Sequence, residues 1–311
     1  MYVSNSILRI GTRGSPLALM QAEETARRLI AAHELDEKQI KIVKIQTSGD
    51  RIADESLREF GGKGLFTKEI EIALMNEEID LAVHSMKDVP TVLPDPLLIA
   101  AVLPREDVRD AFISRRYKSF SEMPSGAVVG TSSLRRQAQL RRMRPDLKVI
   151  EFRGNVQTRL KKLDSKVADA TLLACAGLNR LGMENEISAP LETDEMLPAV
   201  AQGAIGIEIK SGDHRIHDIV TTLNDEETEI RIQIERDFLR ILDGSCRTPI
   251  AGLAELDSDK IRFRGQILLP DGTECHDVDM EGDMDQAAEI GIRAGEQLLQ
   301  QAGPEFLKAM N

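Results

Sequence analysis

Short apolar segments, each followed by a glycine- or serine-rich turn and an amphipathic helix, recur through most of this 311-residue chain. The segments at residues 7–10, 41–47 and 79–83 are predicted strands. After the first, Ser15 can cap a helix over residues 17–32, and Pro16 suits its first position. Strands that alternate with helices favour an α/β fold with a mostly parallel sheet.

Prolines mark the places where the chain is expected to pass between domains. Four fall between residues 90 and 104, and two more precede a predicted strand at 204–209. Two crossings suggest two domains with a cleft that can open and close. A later helix that ends at Gly244 and a hairpin near Pro270 predict a small α+β domain. The expected boundaries are 1–103 with 204–221 for domain 1, 109–197 for domain 2 and 226–311 for domain 3.

The composition excludes several classes of function. The net charge of −12 and the aromatic content of 3% argue against binding to bulk nucleic acid or to an anionic membrane. We find no apolar window of 18 residues and no signal peptide, so we expect a cytoplasmic protein without a membrane span. Cys175, Cys246 and Cys275 are widely spaced, which suits a reducing compartment and predicts no metal site. Cys175 is expected in the core, and Cys275 has no assigned role.

Residues 131–162 hold ten basic side chains and only two acidic ones, in a chain that is otherwise acidic. Such a segment is either a solvated face or a site for a polyanion. A helix is predicted from Ser133 to a point before Pro145, and the arginines of its last turn suit the helix dipole as a solvated face. Arg135 and Arg136 fall in the first turn, where cations are disfavoured unless an anion binds beside the backbone N–H groups.

Polar side chains also follow the predicted strand at 79–83. Open α/β sheets bind ligands at the carboxyl ends of their strands. There Asp88 could hold a cation or move a proton and Lys87 could hold a carboxylate, although a structural ion pair between them fits equally well. His84 more often satisfies a local hydrogen bond. Arg13, Arg153 and Arg159 lie near other strand ends, and arginine suits carboxylates and phosphates.

Two further segments have competing interpretations. The glycine-rich residues 61–64 lack the spacing of a phosphate loop, so we predict a mobile flap there. Cys246 lies in a loop after a helix, next to Arg247. Most lone cysteines are inert, yet a thiolate in such a loop can serve as a nucleophile or as a tether.

Four motifs together resemble the porphobilinogen deaminase (hydroxymethylbilane synthase) family. They are Val-His-Ser-Met-Lys-Asp-Val-Pro at 83–90, Gly-Thr-Ser-Ser-Leu-Arg-Arg at 130–136, Phe-Arg-Gly-Asn-Val at 152–156, and the loop around Cys246. The resemblance covers nearly the whole chain. It implies two domains like those of type II periplasmic binding proteins, forming a cleft, and a small C-terminal α+β domain with the cysteine. It also implies stepwise head-to-tail condensation of four porphobilinogen molecules with loss of ammonia, then release of hydroxymethylbilane by water.

The same resemblance implies a role for individual residues. Asp88 is the expected catalytic group, and Cys246 is expected to carry a dipyrromethane cofactor through a thioether. The residues expected to hold the cofactor are Ser85, Lys87, Asp88, Thr131, Ser133, Arg135 and Arg136. Those expected to bind substrate or the elongating ring are Arg13, Ser15, Arg153, Arg159, Arg180 and Gln202. Lys63 and Phe66 are expected on the flap, and Gln202 on the domain 1 side of the cleft.

Charge and chemistry agree with these roles. Each pyrrole carries two carboxylates, so the growing chain needs arginines, and loss of ammonia leaves a positively polarised carbon that a carboxylate can stabilise. The expected partners are porphobilinogen and the growing pyrrole chain, with a monomeric enzyme and handover to the next enzyme of the pathway. Ser245 stands where the family often has glycine, which leaves the thiol in place.

Two rival functions remain from the residues alone. A non-enzymatic anion-binding protein of the periplasmic type would also have two crossings and a cleft, but the third domain and its cysteine count against it. A phosphoryl transferase is disfavoured by the missing phosphate-loop spacing.

Overall fold

The computed structural model describes residues 7–51, 64–244 and 248–310, which form two compact units. Unit 1 comprises Met1–Glu106 and Ala204–Glu229, and unit 2 comprises Asp107–Gly203 and Ile230–Asn311. The strands are β1 (Leu8–Arg13), β2 (Ile40–Ile45), β3 (Leu81–Ser85), β4 (Leu97–Val102), β5 (Asp110–Ser114), β6 (Val128–Gly130), β7 (Lys148–Ile150), β8 (Ala170–Ala174), β9 (Ala189–Leu191), β10 (Ile205–Lys210), β11 (Ile250–Asp257), β12 (Lys260–Leu268) and β13 (Cys275–Asp283). The helices are α1 (Pro16–His33), α2 (Ser48–Arg51), α3 (Lys68–Met75), α4 (Leu134–Met143), α5 (Val156–Asp164), α6 (Cys175–Arg180), α7 (His214–Val220), α8 (Glu226–Ile241) and α9 (Ala287–Met310).

Unit 1 is built on one five-stranded sheet in the order β2-β1-β3-β10-β4. Strand β1 runs parallel to β2 and β3, whereas β10 is antiparallel to both β3 and β4. The expected parallel core is therefore correct for β1 to β3, and the returning strand makes the sheet mixed. Its core packs Leu8, Leu29, Leu81 and Ile207 in one buried cluster, which fixes the ends of β1 and β3 side by side.

The first strand is longer than its sequence predicts. Strand β1 continues to Arg13, so residues 11–13 belong to the strand rather than to the glycine turn. At Gly11 the side chain of Ile79 lies 2.2 Å from where a Cβ would stand, so glycine here allows close packing. The predicted start of α1 is confirmed, since the Ser15 hydroxyl accepts from Ala18 N and Pro16 is the first helical residue.

Unit 2 contains a second five-stranded sheet, in the order β7-β6-β8-β5-β9. Strand β6 is parallel to β7 and β8, and β5 is antiparallel to β8 and β9. Phe112, Leu140 and Leu172 are fully buried in its core. The buried strand β8 ends at Ala174, and the chain enters α6 at Cys175. That residue is 1% exposed and belongs to the core, as predicted.

A three-stranded antiparallel sheet, β11-β12-β13, also lies in unit 2 together with α9 and all but the first turn of α8. The predicted hairpin is β12 and β13, while β11 was not predicted. The last helix, α9, has a break at Gly303 (φ 69°) before Pro304. The α/β class and the small sheet-and-helix C-terminal part are confirmed, and the division into three domains stays a prediction. Among the described residues, no helix is long and apolar enough to cross a membrane.

Candidate active site

Asp88 lies just beyond the carboxyl end of β3, in a single 3-10 turn over Met86–Asp88. The turn is attached to the neighbouring segment, because Met86 N donates to Ala204 O at 3.0 Å. Arg13 ends the parallel strand β1, and its Nη1 lies 3.9 Å from Asp88 Oδ2. The Asp88 side chain is 31% exposed, so its carboxylate can reach a ligand while staying near a cation.

Arg13 has a second partner in the described part of unit 1. Its guanidinium lies over the ring of Phe66, 4.3 Å from the centroid, in a cation–π contact. Phe66 belongs to the turn before α3. Both contacts limit where the guanidinium can move, and they bring two residues of the predicted site together with the predicted catalytic carboxylate. Lys63, the other flap residue predicted from the sequence, lies outside the described residues.

Ser85, the last residue of β3, uses its hydroxyl within unit 1. Gln21 Nε2 donates to Ser85 Oγ at 2.8 Å. The adjacent His84 forms the hydrogen bond predicted for it, but with a distant partner, since its Nε2 lies 2.9 Å from Glu208 Oε2 of β10. Lys87 lies in the same 3-10 turn and is half-buried.

Two buried acids near His84 were missed by sequence reasoning. Glu208 is fully buried and Glu71 is 8% exposed. Burial raises the pKa of Glu71, the nearby charge of Glu208 raises it further, and the Thr67 hydroxyl opposes both. The sequence signal was present, since Glu208 is the lone acid of β10 and stands between two isoleucines.

Helix α4 begins as the sequence predicts. Ser133 is its N-cap, and its hydroxyl accepts from Arg136 N at 3.4 Å. Thr131, which is fully buried, accepts from Ser133 N through its own hydroxyl at 3.3 Å. These predicted cofactor-binding hydroxyls therefore order the first turn of the helix.

Arg135 and Arg136 are buried, with 4% and 5% exposure, rather than displayed at the surface of the helix start. Arg135 Nη2 lies 2.8 Å from Asp110 Oδ2, and Arg136 Nη2 donates to Asp110 Oδ1 at 2.7 Å. Burial alone would raise the pKa of Asp110, but the two guanidinium groups hold it well below its usual range. Burial lowers the pKa of Arg135, and the charge of Asp110 opposes that shift. Asp110, the acid at the start of an apolar strand, was missed by sequence reasoning.

Gln202 joins the same cluster. Its Nε2 donates to Asp110 Oδ1 at 2.9 Å and to Val108 O at 2.8 Å, and the residue is 1% exposed. Gln202, Val108 and Asp110 all belong to unit 2, and the expected place of Gln202 on the domain 1 side of the cleft stays a prediction.

A second group of arginines surrounds the start of α5. Arg153 Nε donates to Glu151 at 2.6 Å, and Arg159 Nε donates to Gly154 O at 2.8 Å. Burial lowers the pKa of Arg159 to about 10, with further lowering by the charges of Arg136 and Arg153 and opposition from Glu151. Gly154 has φ of 116°, which glycine adopts readily. The predicted substrate residues Arg153 and Arg159 thus lie on either side of one tight turn.

The remaining predicted site residues come from separate segments of the chain. Arg180 ends α6 and donates from Nη2 to Gly203 O at 2.8 Å. Ser15 caps α1. Cys246 lies outside the described residues, although Gly244 and Thr248 on either side are described and buried.

The donors of unit 2 fit a ligand that carries carboxylates. Arg135 Nε and Arg136 Nε are buried without a hydrogen-bond partner among the described residues. Two guanidinium groups face one carboxylate at Asp110. Burial lowers the pKa of a third, Arg159, and the charges of Arg136 and Arg153 lower it further. Within the described ranges, no group of three His, Cys, Asp or Glu side chains could hold a metal ion.

Comparisons with known proteins give a consistent result. The family model "Porphobilinogen deaminase, dipyromethane cofactor binding domain" matches residues 8–218, and "Porphobilinogen deaminase, C-terminal domain" matches residues 229–300. A curated porphobilinogen deaminase of Paracoccus denitrificans is 56% identical over 299 residues, covering 96% of each chain. The enzyme of the same name from Nitrobacter hamburgensis is 56% identical over 297 residues, covering 96% of this chain and 94% of that one.

Among solved structures, similar chains include bacterial binding proteins. A putative methionine-binding lipoprotein of Bacillus subtilis has a TM-score of 0.43 and 13% identity, covering 72% of this chain and 92% of its own. Lipoprotein Tp32 of Treponema pallidum has a TM-score of 0.44 and 14% identity, covering 71% and 91%.

Proposed function

The chain belongs to the porphobilinogen deaminase family, and from this premise we propose how its residues divide the work. It is a transferase of tetrapyrrole biosynthesis, a hydroxymethylbilane synthase. It joins four porphobilinogen molecules head to tail with loss of ammonia, and water then releases the linear product. The roles of individual residues, the attachment of the cofactor and the assembly state are the proposed part.

Asp88 is the catalytic residue of this proposal. Its carboxylate accepts a hydrogen bond from the pyrrole N–H and stabilises the positive charge that develops as ammonia leaves. The long separation of 3.9 Å from Arg13 supports this role, because a tight ion pair would occupy the oxygens that the substrate needs. Arg13, stacked on Phe66, binds a substrate carboxylate beside it.

A dipyrromethane cofactor is held by the residues of α4 and of the turn after β3. When bound, it supplies the primer pyrrole to which substrate units are added. Arg135 and Arg136 bind its carboxylates, and Thr131 and Ser133 order the helix start at which those carboxylates lie. Ser85 and Lys87 are further cofactor-binding residues of the proposal. Cys246 is the attachment point through a thioether. Arg153, Arg159, Arg180, Gln202 and Ser15 serve the substrate and the elongating chain.

One observation carries this proposal: buried arginines outnumber the acids that face them. Arg135 and Arg136 share Asp110, and each has an Nε without a hydrogen-bond partner among the described residues. Burial lowers the pKa of Arg159, and the charge of Arg136 lowers it further. A buried excess of positive charge is costly unless an anion compensates it. A ligand whose carboxylates increase in number during the reaction meets that requirement.

Intact mass of the purified protein tests the cofactor and its anchor. The wild-type protein should carry the added mass of a dipyrromethane, and Cys246→Ser should lack it. Cys275→Ser is the matched control and should keep the added mass, because that cysteine is half-buried and lies in β13. A loaded Cys246→Ser protein would refute the thioether. A wild-type protein that stays unmodified after incubation with porphobilinogen would refute the cofactor.

Asp88→Asn tests the catalytic role. Removing the charge while keeping the shape should lower turnover about 10²- to 10⁴-fold, the usual contribution of a general acid or base, while the cofactor stays attached. Asp80→Asn is the control, because Asp80 pairs with Arg9 elsewhere in unit 1. Turnover within threefold of wild type for Asp88→Asn would remove Asp88 from the mechanism.

We propose in addition that the enzyme acts as a cytoplasmic monomer and hands its product to the next enzyme of the pathway. The odd, widely spaced cysteines support a reducing compartment. Light scattering at working concentration should give the 34.5 kDa mass of a single chain, plus any bound cofactor. A stable dimer would contradict the monomer.

A further inference from the structure

Asp110 is a buried carboxylate that sequence reasoning did not assign and that the proposed roles do not use. It is the first residue of β5 and has no exposed surface. Three side chains from two other segments reach it, with Arg135, Arg136 and Gln202 at 2.8, 2.7 and 2.9 Å. A single carboxylate therefore sets the positions of both arginines at the start of α4.

The other donors of the two arginines are fixed as well. Arg135 Nη1 donates to Leu197 O at 2.8 Å, and Arg136 Nη1 donates to Leu172 O at 2.9 Å. In each guanidinium group the Nε donor has no hydrogen-bond partner within the described residues. The groups are thus oriented from one side by protein atoms, and each retains a donor for something else.

The charges in this cluster do not cancel. Two guanidinium groups and one carboxylate leave one positive charge in a buried place. Charges that lack a partner in the interior are expensive, so full compensation would normally be expected. Asp110 compensates one of the two positive charges. That single carboxylate is enough to hold the two arginines together despite their mutual repulsion.

We propose that Asp110 is a positioning residue, which occupies the place of one ligand carboxylate and keeps Arg135 and Arg136 oriented before the cofactor arrives. The inference rests on the proposed function, in which these arginines bind cofactor carboxylates. Side chains that are already oriented lose less conformational entropy when a ligand binds. The two arginines therefore lose most of this entropy when the protein folds, and little of it when the cofactor binds. The remaining positive charge then attracts the anionic cofactor.

This role differs from a purely structural one in a measurable way. If Asp110 only stabilised the fold, its loss would lower stability equally with and without cofactor. If it stands in for a carboxylate, its loss should matter most in the cofactor-free protein, where both arginines would be buried without any acid. Cofactor carboxylates would then compensate the arginines in the loaded protein and restore part of the stability.

The experiment compares melting temperatures of cofactor-free and loaded protein. Cofactor-free protein comes from a host that makes no porphobilinogen, and loading with porphobilinogen is followed by intact mass. Breaking a buried ion pair should lower the melting temperature of cofactor-free Asp110→Asn protein by roughly 6–15 °C. We expect the loaded variant to show less than half of that loss. In addition, inorganic phosphate should raise the melting temperature of the cofactor-free variant more than that of wild type.

Asp80→Asn is the matched control, because Asp80 holds Arg9 in unit 1 through three hydrogen bonds. The melting temperature of the Asp80→Asn variant should fall by the same amount in cofactor-free and in loaded protein. If Asp110→Asn protein does not fold, Asp110→Glu replaces it, because this variant keeps the charge and alters the geometry. Its loss in melting temperature should be smaller, and it should again be larger in the cofactor-free protein than in the loaded protein.

Equal losses in cofactor-free and loaded Asp110→Asn protein would overturn the inference. Arg135→Leu separates this failure from a failure of the proposed function. If Arg135→Leu protein does not load while the two losses for Asp110→Asn are equal, only the role of Asp110 is wrong. If Arg135→Leu protein loads fully, the arginines do not bind the cofactor and both ideas fail.

Discussion

Glu235 holds two segments of unit 2 together, and its replacement gives a quantitative test of that arrangement. It lies on α8 and has no exposed surface. Its Oε2 accepts from Ala201 N at 2.6 Å and its Oε1 accepts from Ala254 N at 2.9 Å. Ala201 has φ of 58°, a conformation that non-glycine residues rarely adopt. The carboxylate therefore stabilises a strained residue beside Gln202 and also the strand β11.

Glu235→Gln removes one of the two acceptors and keeps the volume. The amide nitrogen cannot accept a hydrogen bond, so one backbone N–H loses its partner in a buried place. A hydrogen bond to a charged group contributes about 1.5–3 kcal/mol, and an unsatisfied buried donor costs about 1–3 kcal/mol. These terms overlap, so we expect a local loss of about 2–4 kcal/mol. Ala201 should lose its bond, because the strained loop yields more easily than a paired strand.

Hydrogen exchange followed by mass spectrometry measures this loss where it occurs. A local loss of that size corresponds to roughly 30- to 700-fold faster exchange in peptides that contain Ala201. Peptides of the distant strand β1 should not change. Glu296→Gln, at an exposed position of α9, is the control and should exchange like wild type. Exchange at Ala201 within threefold of wild type in the Glu235→Gln protein would refute the view that this carboxylate holds the segment.

Three further predictions concern the site and its surroundings. Gly154→Ala should lower the melting temperature by several degrees, because φ is 116° and the new Cβ would stand 2.6 Å from Thr158. An unchanged melting temperature would contradict this strain. Burial raises the pKa of Glu71, so the folded state favours its protonated form and loses that advantage as pH rises through the folded pKa. The stability of Glu71→Gln relative to wild type should therefore grow between pH 4 and 7, whereas parallel melting curves across that range would exclude the effect. Ser133→Ala should lower the free energy of unfolding by about 1 kcal/mol, because the helix cap is lost, and thermal melting measures this. Ser133→Asp should keep the stability but repel the anionic cofactor, so that intact mass shows less loading.

The helix caps illustrate how far residues alone can predict structure. Ser15 and Ser133 were correctly placed as N-caps, because each bonds a backbone N–H only three residues away. The strand lengths were less accurate, as for β1, which continues through Gly11 to Arg13. In the extension Gly11, Thr12 and Arg13 pair with residues of β2 some 32 positions along the chain, which no local pattern reveals. Cys246 and Lys63 stay predictions, because they lie outside the described residues.

The site, too, has features that the sequence predicts and contacts that only the fold determines. The positions of Asp88 and Arg13 at the ends of neighbouring parallel strands follow from the alternation of strands and helices, and the motifs around them indicate the family. The partners of the buried charges do not follow from any pattern, since Asp110 meets Arg136 across 26 residues and His84 meets Glu208 across 124. Periodicity reports which residues are buried, but packing chooses which buried acid faces which base. For that reason a pair of arginines that the sequence suggested as an open anion site proved, in the folded chain, to be held by a carboxylate.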